Sequence, residues 1–344
     1  MNALITISGN IFIDGRMRKG TLRLTEYGAE YSTELSSNGL YGTVIPALIN
    51  SHTHIGDSFV DTEPVGDIAE VFGPGGFKER MLKSSHPMER RKGISLFLRH
   101  MALTGTSVNV DFREGGVEGI KDVPGKTKIK PVLLGRAGSR YEADSVLDIS
   151  SGLTISSISD VDREDAFYYS ERARKRGKIF AMHLSERIRE DAELALSMRP
   201  SFLVHCIECN KQDLRRISEK GIPVVISPRS NVMFGKRPDY AAMMNSGLNI
   251  FLGTDNCMTV EPDMFQEISF LYTYQRTLHR IDPETILNMV TYEPARYFSA
   301  LGVKIPEEYI FYPNRRLSAY SIVTRGQVYK RKRFAFNFFE KSSY

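Results

Sequence analysis

Eight short apolar runs recur along the chain, at residues 43–50, 107–112, 130–134, 153–158, 178–183, 202–206, 222–227 and 248–254. The run at 43–50 shows little alternation, which suits a strand buried on both faces, as in parallel sheets. Helical stretches separate most of the runs. Residues 88–103 are amphipathic, 160–176 opens on the acidic start Asp160-Val161-Asp162-Arg163-Glu164, and 187–198, 211–220 and 264–279 also fit helices. Strands alternating with helices predict right-handed βαβ units, and eight such units predict a closed α/β fold, the (β/α)8 TIM barrel. A barrel takes about 250 residues, so a chain of 344 has room for more. The surplus lies at both ends. Short strands are expected at 4–8, at 11–13 after Gly9-Asn10 and at 21–24 after Lys19-Gly20; others are expected at 309–312, 319–324 and 327–329, around Pro313-Asn314 and Arg325-Gly326. The expected organisation is therefore a small β-sandwich domain formed from both chain ends (1–45 plus 305–335), a barrel at 46–304 and a tail at 336–344.

Composition narrows the class. A chain that is 41% hydrophobic and 25% charged is neither disordered nor fibrous, and three cysteines exclude a disulfide scaffold. A net charge of +5 is weak evidence for a polyanionic partner. No run approaches the roughly 20 apolar residues of a membrane helix. The first residues lack a basic start and a long apolar core, so a cytoplasmic protein with no membrane partner is expected. The run Lys330-Arg331-Lys332-Arg333, with Phe334, Phe336, Phe338 and Phe339 behind it, has the makings of a nucleic-acid contact. A solvated, frayed terminus is the preferred reading, and no nucleic acid is expected.

Chemistry-bearing residues fall where predicted strands end, the face on which barrels of this type build their active sites. His52-Thr53-His54 follows the first strand, and residues two apart in extended chain point to one side, so two imidazoles can converge. His183 closes the fifth strand, with Glu186 three residues on, and His205 closes the sixth. Asp255 closes the eighth in Leu252-Gly253-Thr254-Asp255. Four of seven histidines thus sit at strand exits. Three imidazoles and a carboxylate suit one divalent metal ion, zinc above all, with iron or manganese as alternatives. Asp57, Asp111, Arg113, Arg136, Ser227 and Asn231 lie near strand exits as candidate substrate contacts. The segment 62–83, with Gly73-Pro74-Gly75-Gly76, is long for a barrel loop and reads as a lid or pocket wall. Cys206-Ile207-Glu208-Cys209 has no second pair to complete a zinc site and reads as inert. There is no phosphate loop and no dinucleotide fingerprint.

In order and spacing these motifs resemble the amidohydrolase superfamily, in the branch of cytosine, guanine and S-adenosylhomocysteine deaminases and triazine hydrolases. The resemblance covers nearly the whole chain. It rests on Pro46-Ala47-Leu48-Ile49-Asn50-Ser51-His52-Thr53-His54, His183-Leu184-Ser185-Glu186, Leu203-Val204-His205-Cys206, Ile226-Ser227-Pro228-Arg229-Ser230-Asn231 and Leu252-Gly253-Thr254-Asp255. It implies metal ligands at His52, His54, His183 and Asp255, a proton-moving Glu186, a His205 that hydrogen-bonds the attacking water or the developing alkoxide, and an Asp255 that helps deprotonate the water. Binuclear members often carry a carboxylated lysine on the fourth strand; 153–158 contains no lysine, which favours one metal. The closing Gly-X-Ile, Gly, Ala-Asp-Leu pattern is missing its Ala-Asp pair, so the small domain is expected to be trimmed. Only Arg325-Gly326-Gln327-Val328 keeps the usual last strand. The expected activity is hydrolytic deamination of a purine, pyrimidine or triazine amine, with a small-molecule substrate. The alternatives are a ring-opening hydrolase resembling imidazolonepropionase, a triazine dechlorinase or alkylaminohydrolase, and a non-catalytic binding protein. By analogy with the superfamily, a homo-oligomer is expected.

Overall fold

The computed structural model describes residues 5–25 and 27–335. Its larger sheet is parallel and follows chain order: Leu48–His54, Thr106–Arg113, Lys130–Gly135, Gly152–Ile155, Ile179–Leu184, Phe202–His205, Val224–Ile226 and Ile250–Leu252. The last strand pairs with the seventh. After two residues the chain resumes as Asp255–Asn256, which pairs in parallel with the first strand (Asp255 opposite Thr53, Asn256 opposite His54). The eighth strand therefore changes partner midway and closes the barrel. Ile49, Val108, Val110, Val132, Ala181, Phe202, Val204, Val225 and Phe251 pack together in one cluster, all fully buried or nearly so. Such β-branched and aromatic runs fill the interior, so the barrel is a packed core and not a pore.

Closure depends on Gly253. A Cβ there would lie 2.6 Å from His52 Cβ and 2.7 Å from His52 N. Thr254 N donates to His52 O (3.0 Å) across the same seam. Only glycine lets the two backbones meet. Gly253→Ala is expected to destabilise the fold by about 1–3 kcal/mol, as overpacking does. It is also expected to push His52 out of line. Thermal unfolding of the variant with and without added zinc measures both effects.

The chain ends form one six-stranded mixed sheet, ordered Lys332–Ala335, Glu308–Pro313, Leu40–Pro46, Ile5–Ile13, Arg16–Thr25, Gly28–Ser32. One face carries Phe12, Ile45, Ile310 and Tyr312 into the barrel's hydrophobic cluster. The other carries Ile7, Ile11, Leu22, Leu24, Val44 and Phe311 into a cluster of their own. The chain ends thus build one second, smaller sheet with an apolar cluster on each face. Gly9, opposite both Gly20 and Gly42, sits where strands crowd: a Cβ on it would be 1.9 Å from Gly42 O.

Five local expectations are corrected. Gly9-Asn10 is not a turn but lies inside the continuous strand Ile5–Ile13, because Gly9 takes φ +145° and lets the strand pass its crowded neighbour. The run 43–50 is two strands split at Ala47, one per sheet. Residues 319–324, expected as a strand, form the helix Ala319–Arg325: Ser318 caps it through the Ser321 amide, and Ile322 and Val323 bury one side. Arg325-Gly326-Gln327-Val328 is correspondingly helix end and turn, and the last described strand is Lys332–Ala335. Finally, Arg331 and Arg333 are half-buried and held against the fold, not frayed. Arg333 ion-pairs with Glu308 and donates to Ala102 O and Lys128 O (3.1 Å each), and Arg331 lies 4.9 Å over the Phe265 ring. Phe336, Phe338 and Phe339 lie outside the described residues. Among the described residues no helix is long and apolar enough to cross a membrane.

Candidate metal centre and active-site cavity

His52, His54, His183, His205 and Asp255 converge at the C-terminal mouth of the barrel. The Nε2 atoms of His52 and His54 each lie 3.3 Å from His183 Nε2. Asp255 Oδ1 is 3.2 Å from His52 Nε2 and 3.7 Å from His54 Nε2. Donor atoms of His52, His183, His205 and Asp255 all fall within 4.8 Å of one another. Nitrogen ligands bound tetrahedrally at roughly 2.0–2.1 Å stand about 3.3–3.4 Å apart, so these spacings are those of a ligand shell. Imidazole nitrogens so close and so buried fit a shared cation.

The outer nitrogens fix the tautomers. His54 Nδ1 donates to Glu114 Oε1 (2.7 Å), and His183 Nδ1 donates to Ser156 O (2.8 Å). Each leaves a bare Nε2 facing the centre, the arrangement that orients metal-binding histidines elsewhere. His205 is wired the other way. Its Nδ1 accepts from Asn231 Nδ2 (3.2 Å), while Asn231 Oδ1 accepts from Tyr240 (3.1 Å). The neutral ring then carries its hydrogen on Nε2, which lies 3.4 Å from Glu186 Oε1. Asp255 accepts from Ser230 Oγ (2.6 Å) and Asn256 Nδ2 (2.9 Å). His205 (φ +71°) and Asp255 (φ +68°) hold left-handed backbone conformations, as does Ser185 (φ +50°) beside Glu186. Such strain in non-glycine residues collects at functional sites.

Electrostatics agree. Burial lowers His52 and His183, and burial with the Lys78 charge brings His54 down to about 3, so all three are neutral at physiological pH. Burial would raise Asp255, but the His52 hydrogen bond and the surrounding imidazoles outweigh it and hold the carboxyl well below its ordinary range. Burial raises Glu186, which suits a proton carrier.

A cavity of about 760 Å³ opens onto this centre. His54, His183, Glu186, His205 and Asp255 line it, with Arg113 and Arg136. Arg136 lies beside Arg113 at adjacent strand exits, its amide bonded to Arg113 O (2.8 Å), and its Nε is shielded from solvent without a partner. The other four candidate contacts do not line the cavity. Asp57 accepts from the Met258 amide (3.0 Å), and burial pushes it up to about 7. Asp111 accepts from Ile55 N (2.7 Å) and Thr53 Oγ1 (2.9 Å), and burial pushes it up to about 6. Ser227 is buried at the start of the helix Pro228–Met233, and Asn231 touches His205 instead. One wall comes from the helices Ile68–Phe72 and Phe77–Ser84, within the segment read as a lid. Cys206 packs in the apolar cluster behind the sheet.

Sequence reasoning missed Glu114, Lys78, Ser230 and Tyr240. Ser230 stood inside a quoted motif, and Glu114 directly follows Arg113; neither position has a periodicity that marks it. Lys78 lies in a helix outside the strand–helix rhythm.

The model of the amidohydrolase family matches residues 163–303. A protein of Methanothermobacter thermautotrophicus, assigned as an aminohydrolase, is 33% identical over 292 residues, covering 76% of this chain and 75% of its own. The chain belongs to the amidohydrolase family. A 5-methylthioadenosine/S-adenosylhomocysteine deaminase of Pyrococcus abyssi is 26% identical over 310 residues, covering 76% of this amidohydrolase and 70% of the relative. In fold, it matches a 5-methylcytosine deaminase of Klebsiella pneumoniae at a TM-score of 0.75, with 13% identity and 94% of each chain covered. The chain is a hydrolase of carbon–nitrogen bonds, and its histidine–aspartate cluster fits a metal ion.

Proposed function

We propose that this amidohydrolase deaminates an aminated heterocycle of purine, pyrimidine or triazine type, using one divalent ion, zinc first. The observation that carries the reading is Glu186, which lines the cavity beside the imidazole cluster's residues with its Oε1 3.4 Å from His205 Nε2. His52, His54, His183 and Asp255 would hold the ion. When bound, the ion makes water nucleophilic near neutral pH. Glu186 takes a proton from the attacking water and delivers it to the ring nitrogen; a second transfer reaches the departing amine. His205 Nε2–H donates to the oxygen on the attacked carbon, held in place by Asn231 and Tyr240. The bond from the attacked ring carbon to its exocyclic amine breaks, the oxygen stays on that carbon, and ammonia leaves. Ring opening of a cyclic amide uses the same groups and differs in product mass.

Ammonia release from protein loaded with zinc, iron or manganese, measured across aminopurines, aminopyrimidines, their nucleosides and aminotriazines, tests this. Release on one scaffold supports deamination; a gain of water without ammonia moves the reading to ring opening. Arg136→Ala is expected to raise KM for that substrate about tenfold or more, the loss of a hydrogen bond from a charged donor. Metal content and kcat are expected to change little, and steady-state kinetics with metal analysis check this.

A further inference from the structure

Lys78 lies on the helix Phe77–Ser84, outside the barrel, yet its side chain is only 9% exposed. Its Nζ donates to Glu114 Oε1 (2.6 Å) and to Asn256 Oδ1 (2.8 Å), and stands 3.6 Å from Asp57 Oδ2. These three partners follow the first strand, follow the second and end the eighth, so one ammonium ties three neighbouring strand exits across the seam that closes the barrel. Two of the partners are themselves bonded to the centre: Glu114 accepts from His54, and Asn256 donates to Asp255 Oδ1. An ammonium buried this deeply is costly to leave unpaired, so Lys78 and its partners hold one another in place.

We infer that Lys78 is a positioning residue through which the wall segment 67–84 and the metal centre are ordered together. The inference rests on the metal-centre reading above. Lys78 sets Glu114 against His54 and Asn256 against Asp255, so the segment's docked position favours an ion at the centre. By linkage, an ion at the centre favours the docked segment to the same degree. A lysine that merely anchored the wall would affect the segment and leave the affinity for the ion alone.

The test uses zinc as the probe, on the full chain stripped of metal, in wild type, Lys78→Met and Lys78→Gln. The glutamine variant keeps a polar group for a site where methionine could compromise folding. Zinc affinity is read by competition with a chromogenic chelator, and amide hydrogen exchange of residues 67–84 is read with and without zinc. Wild type is expected to show about tenfold or greater zinc-dependent protection of the segment. Both variants are expected to lose that protection and to bind zinc about 10–100-fold more weakly, as loss of an outer partner of metal ligands does. A folded variant that binds zinc within threefold of wild type, or keeps the zinc-dependent protection, overturns the role of Lys78 and leaves the metal centre standing. A wild type that binds no divalent ion overturns both.

Discussion

Glu186→Gln is expected to lower turnover by about 10²–10⁴-fold, the usual contribution of a positioned general acid–base group, while metal content stays at the wild-type level. The two halves of this expectation come from different parts of the geometry. Glu186 Oε1 faces His205 Nε2 at 3.4 Å and lines the cavity, but it is absent from the tight set of imidazole and carboxylate donors. Glutamine keeps its size and can still accept from His205, so the centre should remain assembled. It cannot take up and release a proton, and that step alone is removed. Burial raises the carboxyl of Glu186 above its ordinary value, which improves it as a carrier between water and an amine. Metal analysis beside ammonia release decides the matter. Near-normal turnover in the variant excludes the role; loss of the metal would instead make Glu186 part of the ligand shell.

Much of this arrangement was legible in the sequence because barrel geometry turns strand ends into site positions. Once eight apolar runs are read as strands, the histidines at 52, 54, 183 and 205 and the aspartate at 255 share one rim, where donor atoms of His52, His183, His205 and Asp255 lie within 4.8 Å of one another and His54 Nε2 lies 3.3 Å from His183 Nε2. What stayed hidden depends on side chains that reach across the fold. Lys78 meets Asn256, 178 positions away, and Glu114 meets His54, 60 positions away; no local pattern reports such pairs. The candidate contacts Asp57, Asp111, Ser227 and Asn231 stand near strand exits in the sequence, but being near a strand exit does not decide which way a side chain turns. Three of them are spent on the scaffold around the site: Asp57 and Asp111 accept backbone amides, and Asn231 sets the His205 ring. At the C-terminal end the error was one of period. Residues 319–324 look β-prone, yet a serine cap and two apolar residues on one side make a helix that packs on neighbouring helices.

His183→Ala is expected to abolish stable metal binding, and with it activity. Its Nε2 is the shared vertex of the cluster, 3.3 Å from both His52 Nε2 and His54 Nε2. Structural zinc sites with four ligands carry roughly 10–16 kcal/mol of apparent binding free energy, so each ligand accounts for about 3–4 kcal/mol, a weakening of a hundredfold or more when one is lost. The remaining donors cannot compensate by moving. His54 is fixed through Glu114, Asp255 through Ser230 and Asn256, and the His52 ring is packed edge-on to Phe112 at 4.5 Å. Two readouts separate loss of the ion from loss of the fold. Wild-type unfolding should shift upward with added zinc, since binding to the native state alone stabilises it. The variant's unfolding temperature should no longer respond to zinc, while its circular dichroism stays native, because alanine keeps the backbone pairing of residue 183 with Val204 and removes only the ring, with its bond to Ser156 O and its packing on Phe112. A His183→Ala protein that keeps a full metal complement through dialysis would remove His183 from the ligand set and transfer its place to His205, which lies in the same group of donors. That outcome would also require the His205 ring to present a bare Nε2, against the Asn231 amide that now donates to its other nitrogen.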